Sequence, residues 1–126
     1  MIDQFPIHAT VAASDLKRAR AWYADKLGLT PEQEDGGLWF RFEGDTWLLV
    51  YETESAGTAK NTVAGWTVKD IESVMAKLRE RGVEFEEYDM PGMKTENGLA
   101  TFETAKTAWF KDSEGNTFEL SETLGT

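Results

Sequence analysis

Two stretches decide the fold: His8-Ala9-Thr10-Val11-Ala12-Ala13-Ser14-Asp15-Leu16 and Val63-Ala64-Gly65-Trp66-Thr67-Val68-Lys69-Asp70-Ile71. Each reads as a strand running into a helix cap, Ser14 or Asp15 in the first stretch and Asp70 in the second. Asp15 and Asp70 stand 70 − 15 = 55 positions apart, and so do His8 and Val63. The chain therefore reads as a repeat. Past the first cap, Leu16, Ala19, Trp22, Tyr23 and Leu27 recur at helical spacing, and Gly28 falls where a left-handed C-cap belongs. Past the second, Ile71, Val74, Met75 and Leu78 form one apolar face, and Gly82 ends the helix.

Strands are expected at 30–35, 38–43 and 46–52, separated by the turn signals Asp35-Gly36-Gly37 and Glu43-Gly44-Asp45. The second half repeats this with strands at 83–88, 106–111 and 117–122, the last two joined by residues 112–116. Each half is then β-α-β-β-β, an α+β class. One domain is expected over 1–126, with repeat one at 5–52, a small polar linker at 53–61 and repeat two at 62–126. The turn glycines are 115 − 44 = 71 positions apart rather than 55, so the second half carries an insertion of 16. It is placed in 89–105, read as a long irregular stretch that is either a binding loop or plain surface.

The bulk numbers exclude several classes. The formal net charge is -10, from 23 acidic and 13 basic residues. Such a surface repels phosphate backbones, so no nucleic-acid partner is expected. No cysteine is present, which removes disulfides, thiolate metal sites and thiol nucleophiles. No run is long enough to cross a bilayer and no signal peptide is visible, so a cytoplasmic protein without a membrane partner is expected. A phosphate-binding glycine loop is absent, because Asp35-Gly36-Gly37 lacks the following Lys or Ser and the helix.

The stretches His8 to Tyr23, Leu27-Gly28 and Trp109-Phe110-Lys111-Asp112-Ser113-Glu114-Gly115-Asn116-Thr117-Phe118-Glu119-Leu120 resemble the vicinal oxygen chelate superfamily, the glyoxalase, bleomycin-resistance and dioxygenase group. The resemblance implies two repeats whose curved mixed sheets enclose a cup-shaped cleft. It also implies four inward positions that hold a metal in metal-dependent members. His8 and Glu119 fall on the first and last of these. Matching Gly44 to Gly115 puts Leu48 opposite Glu119, and the offset of 55 puts Val63 opposite His8. Leu48 and Val63 have no lone pair to donate, and two ligands hold a divalent ion weakly.

Strand alternation gives the expected lining if His8 faces the cleft. Thr10 and Ala12 then face it too, with Thr46, Leu48, Val50, Val63, Gly65, Thr67, Thr117, Glu119 and Ser121. Trp47, Leu49 and Tyr51 are assigned to the helix layer, and Trp66 to the core. Trp39 with Arg41, and Trp109 with Lys111, occupy similar places and are expected to face the cleft. The candidate ligand-binding residues are thus Trp39, Arg41, Leu48, Val63, Trp109 and Lys111, with His8 and Glu119 as the candidate catalytic pair.

Two functions fit. One is a binder of a small organic molecule, of the antibiotic-sequestering kind, with no cofactor. The other is a lyase, isomerase or dioxygenase-like enzyme in which His8 and Glu119 hold a divalent metal. A metal-free enzyme with His8 or Glu119 as general base is a variant of the second. A plain interaction module without a ligand is a third possibility. Related folds pair across a two-fold axis, so a homodimer is expected.

Overall fold

The structure, a computed structural model, describes residues 1–125. It is α+β and built on two mixed sheets. The chain divides into two compact units. One comprises Met1–Ala59 with Ser113–Asn116, and the other Lys60–Asp112 with the residues from Thr117 on.

The first unit contains strand β1 (Ala9–Ala13), helix α1 (Leu16–Leu27) and strands β2 (Leu38–Phe42) and β3 (Thr46–Glu52). The sheet order is β1-β3-β2, with β1 parallel and β2 antiparallel to β3. Helix α1 begins because the Asp15 carboxylate accepts the Arg18 N–H. It ends at Gly28, whose φ of 67° a side chain would disfavour. The helix lays Tyr23 flat on Phe40 of β2, with ring centroids 5.2 Å apart. Both rings are fully buried, and each contributes about 2–3 kcal/mol of apolar burial.

The turn Ser113–Asn116 joins this unit through Glu114 and through Asn116, whose side-chain amide donates to the Ala12 carbonyl at 2.8 Å. Glu114, buried, accepts the N–H groups of Ser14 and Asp15 at 2.9 and 3.1 Å. Arg18 donates its Nε to the same carboxylate at 2.8 Å. An anion is thus placed against the donors that open α1, where the helix dipole favours it. The Arg18 guanidinium lowers the Glu114 carboxyl to about 2, burial opposes this, and the Ser113 hydroxyl and the two backbone N–H groups add to it.

The second unit runs β4 (Thr62–Thr67), α2 (Ile71–Glu80), β5 (Asp89–Met90), β6 (Met93–Glu96), β7 (Leu99–Thr101), β8 (Ala105–Lys111) and β9 (Thr117–Thr123). The order is β4-β9-β8-β7-β6-β5, with β4 parallel to β9. Asp70 caps α2 as Asp15 caps α1. Phe110 and Phe118 stack in its core, and Trp66, expected to be core, packs against both rings but is only partly buried. The last strand of each unit also reaches its helix. Glu52 accepts the Leu16 N–H at 3.4 Å, and Glu122 accepts the Ile71 N–H at 2.8 Å.

Three expectations need correcting. Residues 30–35 contribute only a bridge between Gln33 and Trp39, and 83–88 only a bridge between Phe85 and Phe110. Residues 89–105 are not irregular: they hold β5, β6 and β7 and the start of β8. Pro91-Gly92 and Asn97-Gly98 turn these strands, the latter with φ of 53° and 78°, the left-handed pair that suits a two-residue hairpin. The third correction is the phase of β3. Phe40 pairs directly with Leu48 and Leu38 with Val50, so Leu48 and Val50 lie on the helix-covered face. Leu48 is buried core and leaves the candidate ligand set.

Candidate functional site

In the first unit the sheet face turned away from α1 carries two tryptophans. Trp39 pairs across the sheet with Leu49, and Arg41 with Trp47, so these four share that face. His8 lies just before β1, exposed, with its ring centroid 5.1 Å from that of Trp39. Trp39 and Trp47 meet edge to face at 6.2 Å. The Trp39 indole N–H donates to the Asp35 carbonyl at 2.8 Å, which fixes the ring's orientation. The Arg41 guanidinium lies over the Trp47 ring at 5.1 Å. Arg41 Nε donates to a Glu32 oxygen at 2.8 Å and an Nη nitrogen pairs with the other oxygen. The hydrogen bond from Arg41 holds the Glu32 carboxyl below its usual range and raises the guanidinium in turn.

In the second unit the face away from α2 carries Trp109, directly paired with Glu119, and Lys111, paired with Thr117. Glu119 lies beside Gly65 of β4. A methyl group on Gly65 would come within 2.4 Å of Glu119 Cγ, so the bare glycine leaves room for the acid to lie across the strand. Val63 falls in a bulge, because Thr62 and Ala64 pair with consecutive residues of β9. Tyr88 meets Trp109 edge to face at 5.5 Å. Lys111 Nζ stands 3.1 Å from Glu86. Burial raises the Tyr88 hydroxyl above its usual range, and the Glu86 charge adds to this.

His8, Trp39 and Arg41 are thus gathered in one unit, and Trp109, Lys111 and Glu119 in the other. Sequence reasoning missed Trp47 and Leu49, which it assigned to the helix layer. It also missed Glu32, Asp35, Glu86 and Tyr88. The signal for Trp47 was present. Trp39 and Trp109 are 109 − 39 = 70 positions apart, and so are Arg41 and Lys111. Leu49 and Glu119 keep that spacing, and the pairs Trp39–Leu49 and Trp109–Glu119 are equivalent. The glycine spacing of 71 shifted β3 by one residue, which turns every side chain to the wrong face.

The positions that the family resemblance implies for a metal can now be tested on their chemistry. His8 and Glu119 carry donor atoms, whereas Val63 and Leu49, the register partner in place of Leu48, carry none. Among the described residues no group of three or more His, Cys, Asp or Glu gathers. The residues present do not fit a divalent ion held by three or four protein ligands. No helix among the described residues is long and apolar enough to cross a membrane.

A family model described as the Glyoxalase/Bleomycin resistance protein/Dioxygenase superfamily matches residues 6–120. No curated protein matches the chain. Among solved structures, a glyoxalase/bleomycin resistance protein from Catenulispora acidiphila is 25% identical, with a TM-score of 0.67, covering 94% of this chain and 97% of its own. TnmS3, an antibiotic binding protein from Streptomyces sp. CB03234, is 20% identical at a TM-score of 0.67, covering 98% and 99%. A mutant of the fosfomycin resistance protein FosX from Listeria monocytogenes, solved with Mn(II) and a dihydroxypropylphosphonic acid, is 20% identical at 0.65, covering 100% and 93%.

Proposed function

Because the chain belongs to the glyoxalase/bleomycin resistance protein/dioxygenase superfamily, we propose that it binds a small organic molecule on its aromatic sheet faces and releases it chemically unchanged. The observation that carries this reading is the cluster of His8, Trp39 and Trp47 on the face of the first sheet away from α1. Three rings on that side, one fixed by its N–H bond to Asp35, form a preorganised apolar surface for a planar guest. Trp109 and Tyr88 supply a second such surface. The likeness to TnmS3, an antibiotic binding protein, supports the choice of an antibiotic-like guest. The binder works without a metal, as a homodimer in the cytoplasm. His8 acts here as a stacking ring and Glu119 as a polar group beside Trp109.

The test is a tryptophan-fluorescence titration against a panel of planar aromatic antibiotics. A guest should quench with saturation, and Trp39→Ala should weaken it about tenfold or more, the loss of one stacked ring and its buried area. The guest should be recovered intact and its affinity should survive chelator. Turnover of the guest, with about one divalent ion per chain needed for it, would favour the metal-dependent enzyme instead.

A further inference from the structure

Both sheet faces carry a cation, and both cations are already occupied. In the first unit all three nitrogens of Arg41 face acids. Nε and Nη2 pair with Glu32, and Nη1 stands 3.6 Å from Asp45. The Nε–Nη2 fork is closed to a guest carboxylate or sulfonate, and the Nη1 side faces the Asp45 charge. In the second unit Lys111 is tied to Glu86 at 3.1 Å. The two acids are held the same way. The Glu32 backbone N–H donates to the Trp39 carbonyl at 2.7 Å, and the Glu86 N–H donates to the Trp109 carbonyl at 2.8 Å. In each unit, therefore, an acid is anchored on the backbone of the face tryptophan and its carboxylate covers the cation two residues on. The arrangement occurs twice with different cations, Arg and Lys, so the pairing recurs while the basic residue does not.

We propose that Glu32 and Glu86 are specificity-determining residues that turn the two aromatic faces against organic anions and leave them open to uncharged or cationic planar guests. This rests on the binding function proposed above. Physically it is selection by a repulsive element. An anionic guest would meet acids already bound to the cations it needs, within a chain of net charge -10. An uncharged guest needs no such partner and gains the stacking in full.

The test uses a matched pair of dyes, N-phenyl-1-naphthylamine, which is uncharged, and 8-anilinonaphthalene-1-sulfonate, its sulfonated counterpart. The wild-type chain should bind the uncharged dye about tenfold or more tightly than the sulfonate. Glu32→Gln with Glu86→Gln should raise sulfonate affinity about tenfold and leave the uncharged dye within about twofold, and the gain should shrink in about 0.5 M salt. A cooperative melt for each variant separates this from dye binding to loosened chains. Adding Arg41→Met and Lys111→Met to that double change provides the second arm. It should return sulfonate affinity to within about twofold of the wild type, because the freed cations supply the gain and each face is again without net charge. Equal binding of both dyes by the wild type, or a dye ratio unmoved by the double Glu→Gln change, overturns the inference and leaves the binding function standing. A sulfonate gain that survives in the quadruple variant overturns it as well. Binding of neither dye counts against the aromatic site itself, and this inference falls with it.

Discussion

Glu114 shows how much one residue can hold. It sits in a turn of the second repeat, yet its carboxylate accepts the N–H groups that open α1 and the Arg18 guanidinium. Its folded-state value of about 2 lies below the ordinary 4.5. A depressed acid stabilises the fold above its unfolded value, and that stability is lost as pH falls through the folded one. The window is therefore about pH 4.5 down to about 2, and the contribution at neutral pH is on the order of 3 kcal/mol. Urea unfolding of Glu114→Gln should show a loss of about that size at pH 7 and a shallower fall of stability through the acid window. An unchanged acid profile in the variant would assign the acid sensitivity to other groups. Leu48 and Leu49 make a second comparison at this scale. Leu48→Ala should cost about 2–5 kcal/mol by opening a cavity under α1, and Leu49→Ala clearly less, with any effect on guest binding confined to Leu49. The reverse order would mean that the phase of β3 is wrong.

The elements were legible wherever a local signal stood at their ends. Ser14 or Asp15 marked the first helix start, of which Asp15 is the cap, Asp70 marked the second, and Gly28 marked the end of the first. The closing hairpin β8–β9 was read within one residue at its outer ends, because alternation and turn agreed there. The phase of β3 was lost because an equivalence between turn glycines was preferred to one between tryptophans. At the 70-residue spacing Phe42–Thr46 corresponds to Asp112–Asn116, but the glycine stands third in one segment and fourth in the other. The strands in 89–105 were lost because each is too short to alternate, though Pro91-Gly92 and Asn97-Gly98 are ordinary turn signals. The site acids could not be read at all. Glu32 and Glu86 lie in segments that form no strand, and only the fold brings them to a basic residue. The tip at Gly98 seats tightly: a methyl there would meet Phe85 Cβ at 2.7 Å and the Arg79 guanidinium at 3.0 Å, whereas one at Gly92 meets nothing within 4 Å. Both glycines have positive φ. Gly92→Ala should therefore cost about 1 kcal/mol of backbone strain, and Gly98→Ala about 1–3 kcal/mol more. Equal costs in urea melts would show that the tip is not packed against α2.

At the scale of the whole molecule, the repeat and its family were legible because two capped helices and a closing hairpin recur at fixed spacings. The function was not, since the same fold carries binders and enzymes and only the side chains on two sheet faces distinguish them. Those faces present rings, acids that cover the cations, and too few donors for a protein-held metal. The central claim is that the ring face away from α1 receives the guest. Its most direct test is the set of indole N–H signals of the five tryptophans in a proton–nitrogen NMR titration. A planar guest should shift the Trp39 and Trp47 signals with saturation and leave Trp66, packed against the buried Phe110 and Phe118, in place. A guest that moves Trp66 while Trp39 and Trp47 stay fixed would contradict the account.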